Sequence, residues 1–290
     1  MTDTVRESIA TSRQRRERND RDTVRVSTLA GWHRCRRRTY LQREWSVDRD
    51  MTAANIGTVV HAHLANYYGG AVTTEADQEA WLSLSAEDQN TATKMVDTYL
   101  IEVESEGLDI GQSTMTVENR WDMEIGGITL SGQVDQVYFD ELRGGHVIRD
   151  HKTVGQFFQT APLDFQLMCY AVLAREHGVT NIVAIEHNQI KRNKRTATAK
   201  PPYINRTWQP VTDTTIDHFT ESLSCMAEDY ATIFACSTGV EDPHLWAVGR
   251  NDCSFTCSFN EVCAMISSGE DYAAVLETEY IWEEPVDITP

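Results

Sequence analysis

Two short runs carry the residues best suited to bond-breaking chemistry: Gly132-Gln133-Val134-Asp135 and Ile148-Arg149-Asp150-His151-Lys152-Thr153. Each acid sits among apolar neighbours. Asp135 follows Val134 and precedes Val137, and Asp150 follows Val147-Ile148. A carboxylate at the buried end of a strand is costly unless something pairs with it or ligates it. Strand alternation puts Asp150 and Lys152 on one face. Two carboxylates from adjacent strands can bind Mg²⁺ or Mn²⁺ through oxygen. Such an ion polarises a phosphoryl oxygen and lowers the pKa of a bound water. A lysine beside it can orient that water or offset developing negative charge. The chemistry that needs this set is phosphodiester hydrolysis. Taken alone, D-x-K is more often a plain ion pair, here Asp150 with Lys152 or Arg149.

The elements that must position these residues follow from periodicity. Residues 114–124, 128–139 and 145–152 read as strands, with turns at Gly126-Gly127 and Arg143-Gly144-Gly145. Residues 163–177 return to helical spacing, and there Gln166 and Tyr170 share a face. Asn181–Ile190 is a further strand and Tyr203–Trp208 another, before a helix capped by Thr212 or Asp213 that runs through Phe234. Upstream, the spacing predicts a helix from Ser27 through Leu29, Trp32, Cys35 and Tyr40. A second holds Ile56, Val59, Val60, Leu64 and Tyr67 and ends at Gly69-Gly70; a third starts near Ser85. Residues 1–24 are polar and read as a frayed terminus. The order implies one α/β (α+β) domain with a mixed central sheet flanked by helices.

Composition limits the function classes. With 26 Lys+Arg against 44 Asp+Glu among 290 residues, the net charge is −18, which repels nucleic acid as a whole. The charge is uneven: residues 1–50 hold 13 Arg and 8 acids, +5, so the other 240 carry −23. A second basic run is Lys191, Arg192, Lys194 and Arg195. Either run can be a solvated face. Only five basic residues are Lys, a bias that a salt-adapted or GC-rich host would also produce. No apolar run reaches the roughly 18–20 residues that span a bilayer, and the Arg-rich start lacks a secretory signal. We therefore expect a cytoplasmic protein with free thiols.

Seven cysteines are present, and three fall in eleven residues as Cys253-x3-Cys257-x5-Cys263. That density suggests thiolate ligation of a soft metal, with Cys35 the candidate fourth ligand from Trp32-His33-Arg34-Cys35-Arg36-Arg37-Arg38-Thr39-Tyr40. Such a site would staple residue 35 to residue 253, and structural metal ligation contributes on the order of 10 kcal/mol in zinc peptides. Cys169, Cys225 and Cys236 lie in helical apolar patterns and read as free buried thiols.

Four motifs in order give this a family context. Gly57-x3-His61, Gly132-x2-Asp135, Asp150-x-Lys152-Thr153 and Gln166-x3-Tyr170 together resemble the RecB-like branch of the PD-(D/E)XK nuclease superfamily, including CRISPR-associated exonucleases and phage homologues. The resemblance implies a restriction-endonuclease-like core over residues 25–285, with 25–50 and 240–270 as a cluster-bearing subdomain. It implies His61, Asp135, Asp150 and the His151 backbone carbonyl as ligands of Mg²⁺ or Mn²⁺, Lys152 as catalytic lysine, and Gln166 and Tyr170 beside the DNA strand. Glu118 occupies a place where many relatives carry an acid. His63 lies two residues from His61, and the motif favours His61.

The same resemblance implies a [4Fe–4S] cluster on Cys35, Cys253, Cys257 and Cys263, although the family's first gap is one residue shorter; structural Zn²⁺ is the alternative. Arg34, Arg36, Arg37 and Arg38 would then grip phosphates, and Trp32 and Tyr40 either stack on bases or pack around the cluster. The implied activity is a metal-dependent DNA exonuclease acting on single strands or duplex ends, in repair, recombination or phage DNA processing. Alternatives are a nuclease working with CRISPR-adaptation proteins, an inactive nuclease-fold scaffold, and a zinc-stapled binding protein.

Overall fold

A computed structural model describes residues 23–48, 50–69, 73–160, 162–192, 200–246 and 253–282. Lys194, Arg195, Gly70 and residues 1–22 lie outside the described residues. In chain order the elements begin with β1 (Thr23–Arg25), α1 (Val26–Arg34), α2 (Arg36–Leu41), β2 (Trp45–Ser46), α3 (Thr52–Gly69), α4 (Glu75–Ser83) and α5 (Ala86–Glu106). Then follow β3 (Gln112–Ile125), β4 (Ile128–Asp140), β5 (Gly145–Val154), α6 (Phe165–Glu176), β6 (Ile182–Lys191) and β7 (Ile204–Pro210). The remainder is α7 (Asp213–Cys236), α8 (Cys253–Thr256), α9 (Asn260–Ser268), α10 (Tyr272–Glu279) and β8 (Ile281–Trp282). The main sheet is mixed, in the order β1-β4-β5-β6-β7, with β3 also paired to β4. This is the α/β architecture expected from the sequence. No helix among the described residues is long and apolar enough to cross a membrane.

The chain divides into two compact units, Asp50–Trp121 with Gly132–Thr220, and Met1–Arg49 with Asp122–Ser131 and Glu221–Pro290. In the first, β5 pairs antiparallel with β4 (Gln136 opposite Arg149) and parallel with β6 (Asp150 opposite His187, Lys152 opposite Gln189). The parallel pairing explains why β5 and β6 are buried on both faces. Helix α6 covers this sheet with an unbroken buried run from Leu167 to Ala174. Its start is fixed by the Asp164 side chain, which accepts from the Leu167 N–H. Helices α3 and α5 pack through Ile56, Val59, Val60 and Leu64 against Met95, Val96 and Tyr99. Burying each such side chain stabilises by about 1.5–3 kcal/mol. Helix α4, which periodicity did not reveal, begins with a capping box between Thr74 and Asp77.

The second unit differs from expectation in two places. The helix expected from Ser27 to Tyr40 is two helices, because Cys35 is extended (φ −161°, ψ 106°) and breaks the ladder between α1 and α2. Arg25, not Ser27, stands at the N-cap position of α1, and its side chain makes no capping bond. Cys169 is buried as expected, but Cys225 and Cys236 are exposed. The buried stripe of α7 runs through Ile216, Leu223, Ala227 and Tyr230, and helical spacing turns both cysteines off it. Gly126, in the β3–β4 turn, has φ +54° and lies against α7; a Cβ there would come within 2.5 Å of the Ser224 carbonyl.

Candidate active site

Strand β5 presents Asp150 and Lys152 on one face. Lys152 Nζ donates to Asp150 Oδ1 at 2.9 Å. Asp150 is 2% exposed, and its Oδ2 is buried with no hydrogen-bond partner. A second partner of Lys152 comes from α6: Gln166 Oε1 lies 3.4 Å from Nζ, and Gln166 Nε2 donates to Tyr170 Oη at 2.6 Å. The i, i+4 spacing thus builds a relay from helix to lysine. Burial alone would lower the Lys152 amine, but Asp150, with Asp135 and Asp164, outweighs it and holds the amine above its usual value. Arg149 points to the opposite face and pairs with Glu186 (Nε to Oε1 2.5 Å), so it is not the partner of Asp150.

Strand β4 supplies Asp135, whose Oδ2 accepts the His151 backbone N–H at 2.7 Å and lies 3.5 Å from His61 Nδ1. His61 reaches this point because α3 approaches β5 closely at Gly57, where a Cβ would sit 3.0 Å from Thr153 Oγ1. That gives the glycine of the helical motif its physical reason. Glu118, on β3, completes the group: one donor atom each from His61, Glu118 and Asp135 lie within 4.8 Å of one another. Glu118 has φ +51°, a left-handed conformation rare for a strand residue, and its Oε2 accepts from Gln133 Nε2 at 2.6 Å. Gln133 escaped the sequence reading, although alternation along β4 puts it on the face of Asp135.

The electrostatics describe a site short of positive charge. Burial and then Asp150 push the Asp135 carboxyl up to about 8. Burial and then Asp135 push Glu118 up to about 7. Burial lowers the His61 imidazole. Clustered carboxylates with displaced protonation, an imidazole and an unpartnered buried carboxylate oxygen are the donor set of a hard divalent cation. The His151 ring is not part of it. The ring turns to the other sheet face, 2.7 Å from Asn188 Nδ2 and stacked on Tyr68, and only its backbone reaches Asp135.

In the second unit, Cys35 is within electrostatic reach of Cys253, Cys257 and Cys263; burial first, and then these thiols, raise its pKa. Arg37 is 1% exposed and donates to Cys263 Sγ at 3.4 Å, with its guanidinium over the Trp246 ring. It faces the thiols and offers nothing to a phosphate. Arg36 is ion-paired to Asp229 at 2.7 Å, Arg38 is half-buried, and Arg34 is exposed. Trp32 is buried and donates to Asp229 Oδ2 at 3.0 Å. Tyr40, also buried, packs on Phe234. Both aromatics therefore pack the interior of this unit.

Comparison with known proteins places the chain in a family. The sequence pattern of the PD-(D/E)XK nuclease superfamily matches residues 23–264. Two solved structures are similar in part. One is SSO0001, at 15% identity over 83% of this chain and 86% of that one, with a TM-score of 0.36. The other is a candidate exonuclease from Eubacterium rectale, at 11% identity over 82% and 94%, with a TM-score of 0.45. No curated protein matches the sequence. On the match over most of its length, the chain belongs to the PD-(D/E)XK nuclease superfamily.

Proposed function

We propose that this protein is a divalent-metal-dependent DNA exonuclease. The observation that carries the reading is the buried, unpartnered Asp150 Oδ2 beside a charged Lys152, with donor atoms of Asp135, Glu118 and His61 gathered within 4.8 Å of one another on the neighbouring strands and helix. Asp135, Asp150, Glu118 and His61 would hold Mg²⁺ or Mn²⁺, with the His151 carbonyl a further donor. When bound, the ion supplies Lewis acidity toward the phosphodiester and its attacking water. The chain's own residues do the rest. Asp150 and Gln166 fix the Lys152 ammonium in one orientation, from which it can donate to an attacking water or a phosphoryl oxygen. Tyr170 holds Gln166, and the His151 N–H holds Asp135 against rotation.

The reading extends to the thiols. A buried guanidinium needs an anion, and among the described residues Arg37 has no carboxylate partner. Four thiolates on a metal centre would provide that charge. We assign a [4Fe–4S] cluster to Cys35, Cys253, Cys257 and Cys263 on the family resemblance, with Zn²⁺ as the alternative. Iron analysis and visible absorbance of anaerobic protein decide between them. The proposed setting is DNA repair, recombination or phage DNA processing, on single strands or duplex ends.

Exonuclease action is tested with linear and covalently closed circular DNA of one sequence. Mn²⁺-dependent loss of the linear form alone, with release of 5′- or 3′-terminal label first, supports the proposal and gives polarity. Equal cutting of the circle would replace it with an endonuclease.

A further inference from the structure

The loop after β5, whose described residues are 155–160 and 162–164, carries two adjacent aromatics that the proposed chemistry does not use, Phe157 and Phe158. Phe158 is 45% exposed. A lone exposed phenylalanine is ordinary, but this one is fixed by unusual means. Gln189 is fully buried, and its side-chain amide takes both backbone groups of Phe158: the Phe158 N–H donates to Oε1 at 2.9 Å and Nε2 donates to the Phe158 carbonyl at 2.9 Å. The loop is tied again by Thr160 to Thr207 at 3.2 Å and by the Leu163 N–H to Gln209 Oε1 at 2.5 Å. Its backbone is therefore held while the Phe158 side chain stays partly exposed.

Register fixes where this ring stands. On β6, Gln189 is the pairing partner of Lys152, and His187 is that of Asp150. Partners in a ladder share a sheet face, and neighbouring strands lie about 4.8 Å apart. The Gln189 side chain thus rises on the face that carries Asp150 and Lys152, and the Phe158 ring packs edge-on against His187, 6.4 Å between centroids. Lys191, on the same strand, places its ammonium 5.7 Å from the Phe157 ring. An exposed, backbone-clamped ring one strand from the lysine, with an ammonium on the adjacent aromatic, matches what a single strand presents: a base face beside a phosphate.

We propose that Phe158 is a base-stacking platform for single-stranded DNA entering or leaving the site, with Gln189 as its positioning residue. This rests on the nuclease reading, and the experiment separates the two. Binding of a short fluorescent single-stranded oligonucleotide is measured by anisotropy in Ca²⁺. The intact strand is compared with a series carrying one abasic residue at successive positions. Wild type should lose about tenfold in affinity at one abasic position. Phe158→Ala should lose about tenfold on the intact strand and nothing further at that position, while Phe158→Trp should keep wild-type affinity and sensitivity. Equal melting temperatures show that the variants are folded. The platform is overturned if Phe158→Ala binds the intact strand as wild type does, or stays as sensitive as wild type to every abasic position. Wild type that cuts DNA with Mn²⁺ while Phe158→Ala is unaffected removes the platform alone. Wild type that neither binds nor cuts DNA removes both.

Discussion

At the scale of single residues, the proposed mechanism gives the lysine and the carboxylates separable jobs. Lys152→Gln should lower kcat by about 10²–10³-fold while divalent-ion binding, read by calorimetry, survives; equal loss of both would make Lys152 a structural partner of Asp150 only. The carboxylates predict a pH dependence. Burial and the neighbouring carboxylates push Asp135 up to about 8 and Glu118 up to about 7, from their ordinary 3.8 and 4.5. Between pH 4 and 8 the native state therefore holds protons that the unfolded chain has shed, so their contribution to stability falls as pH rises. A bound divalent ion replaces those protons. The rise in Tm on adding Mn²⁺ should thus be larger at pH 8.5 than at pH 6, and a pH-independent rise would contradict the proposed ligand set. Asp135, Asp150, Lys152, Gln166, Tyr170 and His61 were legible because each belongs to a spaced motif. The inward turn of Arg37 and the support of Glu118 by Gln133 were not, because spacing along the chain does not give the direction of a long side chain.

At the scale of elements, β5 is held from both faces. Behind the site, Arg149 is fully buried and bonds Glu186, Gln136 and Gln112. Tyr138 also donates to Glu186, at 3.0 Å. Removing Glu186 leaves the buried Arg149 guanidinium only the longer pair with Asp109, at 3.5 Å. Glu186→Ala should cost about 3–5 kcal/mol in urea unfolding, and a cost below about 1 kcal/mol would show that the network does not hold the strand. On the helix side, a Cβ at Gly57 would lie 3.0 Å from Thr153 Oγ1, so any side chain there must displace the threonine. Gly57→Val should push α3 from β5 and weaken metal binding more than it lowers Tm, because His61 rides on that helix. Strand and helix ranges were read closely from alternation and from Gly turns. The break at Cys35 was hidden, since apolar spacing continues across it, and α4 was hidden because it buries little beyond Ala80.

At the scale of the whole molecule, a net charge of −18 means that DNA must be held by local contacts, not by the overall field. The motif order indicated the architecture because the four motifs sit on α3, β4, β5 and α6 and fix which strands carry acids. The proposed cluster makes a further prediction. Cys257→Ser should lose iron and visible absorbance together, with a lowered Tm in anaerobic protein; a variant that keeps its iron would contradict the ligand assignment.

The central claim is tested most directly by cleavage of end-labelled single-stranded and duplex DNA by anaerobically prepared protein, with Mn²⁺, Mg²⁺ or EDTA, beside an equally folded Asp150→Ala variant. The account predicts degradation by wild type with Mn²⁺ or Mg²⁺, none with EDTA, and none by the variant. Undiminished activity in Asp150→Ala, or no cleavage by folded, metal-loaded wild type, would contradict it.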